Sequence, residues 1–107
     1  MDISLIAEDL GLDEKDYLEL LDLFLATSRG DLETLAAAIA AGDCAQGSFA
    51  AHSLKGAAGN IGLAEFSDTA RFIEEVTRRG SFDGVAEAAK EQRYSLDNIA
   101  RSCQLVG

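Results

Sequence analysis

Residues 43–62 read DCAQGSFAAHSLKGAAGNIG, and the spacing within this stretch decides the fold. Ala50, Ala51, Leu54, Ala57, Ala58 and Ile61 recur at steps of three and four, so they form the inner stripe of a helix. Asp43 stands where an N-cap belongs, and Gln46 three residues later completes a capping box. Gly62 is a natural stop, because glycine tolerates the left-handed backbone that ends helices.

The same pattern continues outward. Upstream, Leu32, Leu35, Ala36, Ile39 and Ala40 predict a second stripe, with Gly42 as its left-handed cap. Arg29-Gly30-Asp31 predicts a break before it. The segment Asp13 to Ser28 then reads as a separate helix, opened by the acidic cluster Asp13-Glu14-Lys15-Asp16. Its apolar residues spread over more than one face. Leu18, Leu21, Leu25 and Phe24 are expected to pack inward, and Tyr17 and Leu20 to extend an exposed patch. Downstream, a helix over Ala64–Arg79 buries Phe66, Ala70, Ile73 and Val76 and ends on Arg78 and Arg79, where cations suit the helix dipole. After Gly80, Ser81 or Asp83 caps a last helix with Val85, Ala88, Ala89, Gln92, Leu96, Ile99 and Cys103 along one side. Short connections between amphipathic helices predict an all-α, antiparallel up-down bundle, with residues 1–107 as one domain.

Composition agrees and narrows the function. The 107 residues contain no proline or tryptophan, and 48% are hydrophobic, enough for a core. Nineteen acidic residues against nine basic ones give a net charge of −10, a surface that repels nucleic acid and anionic lipid. No apolar run approaches the ~20 residues of a membrane span, and Met1-Asp2-Ile3 does not open a signal peptide. The cytoplasm is the expected compartment. Cys44 and Cys103 fit no metal or redox spacing and are expected as partly buried free thiols; no metal site is predicted.

His52 is the sole histidine and lies off its helix's inner stripe. Lys55, Gly56 and Gly59, at i+3, i+4 and i+7, share its face. Helical side chains lean toward the N-terminus, so a residue at 56 would cover the imidazole. Glycine leaves it bare, and Lys55 brings an ammonium beside it. Interior glycines cost about 1 kcal/mol each, so Gly56 and Gly59 indicate either close helix packing or access to the ring. An uncovered histidine beside a cation is what transfer of an anionic group to that ring requires. By itself, a lone surface histidine is more often incidental.

The run His52-Ser53-Leu54-Lys55-Gly56-Ala57-Ala58-Gly59-Asn60-Ile61-Gly62 closely resembles the signature of histidine-containing phosphotransfer (HPt) domains of two-component phosphorelays. The Ala41-Gly42-Asp43 turn and the later Phe72-Ile73-Glu74-Glu75 resemble the family's flanks, so the likeness spans most of residues 13–103. It implies a four-helix bundle with one or more accessory N-terminal helices. It further implies that His52 takes a phosphoryl group from a receiver-domain aspartate and passes it to another. Lys55 would neutralise phosphoryl oxygens, and Gly56 would keep the ring open. Glu74 occupies the place from which a family carboxylate or amide hydrogen-bonds the other ring nitrogen; the plainer reading of Glu74 is a solvated surface residue.

This chain would be a phosphoryl carrier without kinase activity, since no Gly-rich phosphate loop is present. It would need no cofactor of its own, and Mg²⁺ would come with the receiver. The expected partners are receiver domains or a hybrid histidine kinase. Docking is expected around His52 through Ala45, Phe49 and Gly59, extended by Tyr17 and Leu20. A monomer is expected. The chain's end shortly after the last helix weakly favours a free-standing protein over an excised domain. Two other readings stay open: the phosphoacceptor domain of a chemotaxis-type kinase, and a helical adaptor in which His52 is not phosphorylated.

Overall fold

The computed structural model describes residues 1–106. Among them the chain forms five helices and no strands: α1 (Ile3–Asp9), α2 (Glu14–Ala41), α3 (Cys44–Asn60), α4 (Ala64–Arg78) and α5 (Val85–Val106). The long axis of the molecule is 41 Å, which is the span of the 28-residue α2 at about 1.5 Å per residue. α2 packs on α3, α3 on α4, α4 on α5 and α5 back on α2, while α1 lies against α2.

The caps predicted at Asp13, Asp43 and Gly42 form, but the Gln46 side chain does not complete the capping box, because the Asp43 N–H donates to the Ala38 carbonyl at 2.9 Å instead. Asp13 Oδ1 accepts from the Asp16 N–H at 2.8 Å, and Asp43 Oδ1 from the Gln46 N–H at 3.1 Å. Gly42 is left-handed at φ 68°, so α2 ends and α3 begins within two residues. Ser81 Oγ accepts from the Asp83 N–H inside the next turn, and α5 starts only after Gly84, whose carbonyl takes the first helical bond, so neither Ser81 nor Asp83 caps it as expected.

The break predicted at Arg29-Gly30-Asp31 does not occur, because α2 runs straight through it. Leu21, Phe24, Ser28, Leu32 and Leu35 are all buried and follow a single helical stripe across the glycine. A glycine inside a helix costs about 1 kcal/mol, whereas each fully buried leucine returns about 1.5–3 kcal/mol, so packing of both halves outweighs the local weakness. Continuity also fixes the register of the second half. Ala36 and Ala40 turn outward, and Ala38 takes the core position.

The core meets around small residues on α3. Ala50, Ala51, Leu54 and Ala58 are buried there, opposite Phe66, Ala70, Ile73 and Val76 of α4 and Val85, Ala89, Leu96 and Ile99 of α5. Phe24 and Phe66 meet edge to face, with centroids 5.2 Å apart. Alanine on α3 lets the helices approach closely. The limit is reached at Gly47, where a Cβ would lie 3.1 Å from the Phe82 ring. Cys44 and Cys103 are free and half-buried.

Candidate functional site

His52 projects from the middle of α3 with 65% of its side chain exposed. Its Nδ1 edge faces α4. There Glu74 is buried to 2% exposure, beside Ile73 and Thr77, so the solvated-surface reading of this residue is corrected. The ionic donors explain how a carboxylate can sit there. His52 Nδ1 lies 2.6 Å from Glu74 Oε2, Lys55 Nζ lies 2.6 Å from Oε1, and an Arg78 guanidinium nitrogen lies 3.2 Å from Oε2. Burial pushes the Glu74 carboxyl pKa up. The hydrogen bonds from Lys55 and His52, with the charges of Lys55 and Arg78, outweigh it and leave the group below its ordinary value.

An ionised Glu74 fixes the histidine tautomer. A carboxylate can only accept, so Nδ1 carries the hydrogen and Nε2 keeps its unshared pair in the neutral ring. The ring's exposed edge is therefore the nucleophilic one. Neighbouring bonds hold the backbone that carries it. Ser53 Oγ donates to Asp31 on α2 at 2.6 Å, and Ser67 Oγ donates to the Lys55 carbonyl at 3.0 Å. Thr77 Oγ1 bonds the Ile73 and Glu74 carbonyls at 2.8 and 3.1 Å, next to the carboxylate. The segment His52–Lys55 is thus tied to a helix on each side.

The two glycines share a role. A Cβ at Gly56 would meet nothing within 4 Å, and one at Gly59 only Ser67 Oγ, at 3.5 Å. Neither is required by a tight helix contact, which leaves access as the reason for bare backbone on this face. Ala45, Phe49 and Gly59 are exposed on this face, Phe49 at 72%. Leu20 is exposed, and so is Leu23 one turn on. Tyr17 does not join them, which corrects its assignment to an exposed patch. It is fully buried and donates its hydroxyl to the Ile61 carbonyl at 2.7 Å, tying α2 to the end of α3. Burial, then the nearby Cys103, pushes its phenol pKa up.

Sequence reasoning missed Arg78 as a member of this cluster. Its i,i+4 spacing from Glu74 was the available signal, whereas the Ser53–Asp31 bond had none. Among the described residues, no group of three His, Cys, Asp or Glu side chains is arranged to hold a metal ion. Among the same residues, no helix is long and apolar enough to cross a membrane.

The family model described as Hpt domain matches residues 19–102 of the chain. No curated protein and no solved structure matches it.

Proposed function

The chain belongs to the Hpt domain family, whose members are phosphocarrier modules of two-component signalling that meet receiver domains and kinases, and from that premise we propose that His52 is the phosphoryl-carrying residue. The observation that carries this reading is the pair between His52 Nδ1 and the buried Glu74, which directs the hydrogen of the neutral ring to Nδ1 and so leaves the lone pair on Nε2 of an exposed ring. In the reaction we infer, the Nε2 lone pair attacks the phosphorus of a receiver aspartyl phosphate. The P–N bond forms as the acyl phosphate P–O bond breaks, and the electron pair leaves on the aspartate carboxylate. The Nδ1 hydrogen stays in place, so the ring becomes cationic. Glu74 stabilises that charge as it develops. The reverse steps deliver the group to a second receiver.

Phosphoryl transfer is mostly positioning and charge neutralisation. Gly56 keeps the approach open, and Lys55 adds positive charge beside the ring. Mg²⁺ belongs to the receiver in this reading. Docking uses Phe49, Ala45 and Gly59, with Leu20 and Leu23 at its edge. Residues 1–107 act as one module, a monomeric cytoplasmic carrier built on an antiparallel up-down arrangement of α2–α5. The short turns at Gly42-Asp43 and Ile61–Leu63 support that topology.

A panel of phosphorylated receiver domains with Mg²⁺, offered to the wild type and to His52→Gln, tests the proposal. Acid-labile, alkali-stable label on the wild type and none on the variant is the expected result. Label that survives in His52→Gln, or none on the wild type from any donor, would sink it.

A further inference from the structure

Three donors converge on Glu74, but they are held differently. Lys55 is the one donor on Oε1, at 2.6 Å, and its side chain is only 31% exposed. Arg78 shares Oε2 with His52 Nδ1, sits farther out at 3.2 Å, and is mostly exposed. If Lys55 left, a buried oxygen would lose its partner, which is costly for a charged group. When Arg78 leaves, the Nδ1–H still satisfies Oε2. Arg78 is therefore the cation free to move.

It also lies beside the ring that receives the charge. The guanidinium and Nδ1 touch one oxygen, so those two nitrogens are separated by no more than the sum of the two distances, and the exposed Arg78 side chain has only to swing around the ring edge to reach a group on Nε2. A phosphoryl group on Nε2 brings about −1.5 to −2 of charge and three acceptor oxygens. Guanidinium fits such oxygens with a planar pair of donors, which an ammonium cannot do.

Resting on the reading of His52 as the phosphoryl acceptor, we propose that Arg78 is the phosphoryl-binding cation of the phosphorylated state: its guanidinium exchanges Glu74 Oε2 for the phosphoryl oxygens, while Lys55 stays on Oε1. This divides the two cations by role, Lys55 holding the carboxylate and Arg78 receiving the phosphate.

Phosphoramidate serves as a small donor that needs no cognate receiver. Its P–N bond breaks with the pair leaving on ammonia as the Nε2–P bond forms. The second ionisation of the protein-bound phosphoryl group is then followed by ³¹P NMR titration in the wild type, Arg78→Ala, Arg78→Lys and Arg79→Ala. A bound cation favours the dianion, so Arg78→Ala should raise that ionisation by about 0.5–1 pH unit, the scale of one partly exposed charged hydrogen bond. Arg78→Lys should restore part of the shift. Arg79→Ala removes the same charge one residue on, at the C-cap of α4 and without a bond to Glu74, and should leave the titration unchanged. An unchanged titration in Arg78→Ala, or an equal shift in Arg79→Ala, overturns the proposal. Failure of phosphoramidate to label the wild type, or label persisting in His52→Gln, removes the reading beneath it.

Discussion

Glu74 and Gln92 are both long polar side chains shut into the bundle, at 2% and 1% exposure, yet their surroundings differ. Glu74 sits at the α3–α4 seam, and both its oxygens are met by donors whose other parts reach solvent. Gln92 points from α5 toward α4, where its amide N–H donates to the Phe66 carbonyl at 2.8 Å. Its Oε1, like Ser28 Oγ, has no partner among the described residues. A buried carboxylate joined to the surface through a movable cation responds to what happens there. An amide enclosed by apolar side chains can only help or hinder the fold.

The largest effect that would break this contrast is at Glu74. Glu74→Ala should slow labelling of His52 by about tenfold to a hundredfold, since it removes both the tautomer lock and the charge that stabilises the imidazolium. Glu74→Gln keeps an acceptor without the charge and should fall between. If both variants label at the wild-type rate in a receiver-transfer assay, the buried carboxylate is merely structural. The folded-state pKa of Glu74 lies below its unfolded value, so it contributes stability above the ordinary carboxylate range, and that contribution disappears as pH falls through the folded value. Urea titrations of wild type and Glu74→Gln should therefore diverge near neutrality and converge in acid. Curves that keep a constant offset into acid would contradict the depressed ionisation.

Gln92 should behave in the opposite way. Gln92→Leu removes an orphaned oxygen and keeps the volume, so its stability should stay within about 1 kcal/mol of wild type, with labelling unchanged. Gln92→Ala leaves a cavity and should lose about 2 kcal/mol. A leucine variant well below wild type in stability would mean that the lost bond to the Phe66 carbonyl outweighs removal of the orphaned oxygen. The smallest effect sharpens the comparison at the surface. Gly56→Ala has open space around the added methyl and should gain about 0.5–1 kcal/mol of helix stability. Phosphoramidate labelling should be untouched, while transfer from a receiver slows because the methyl occupies open surface that a docked receiver would cover. Equal transfer rates would remove access as the reason for glycine.

Much of this was readable in advance, and the failures share a cause. His52, Lys55 and Gly56 lie within one helical turn, so their common face follows from period alone. Asp13, Asp43 and Gly42 act over three or four residues, and their caps formed as read. Gly30 misled because a glycine is a local signal of weakness, while the stripe from Leu21 to Leu35 is what holds α2 together. Tyr17 misled similarly. Its helix has apolar residues on several faces, and only the position of Ile61, 44 residues away, shows which face is covered.

The sequence by itself determined the helical content, the caps and the register that places an ammonium and two glycines beside the histidine, because these depend on neighbours a few residues apart. The likeness to the HPt signature already set Glu74 against His52, 22 residues away, and spacing offered Arg78; tertiary structure alone decided that this carboxylate is buried and that Lys55, 19 residues away, holds its other oxygen. Those facts depend on how α3 and α4 pack, and a carboxylate's burial is tolerable only where the packing delivers enough donors to hold its charge.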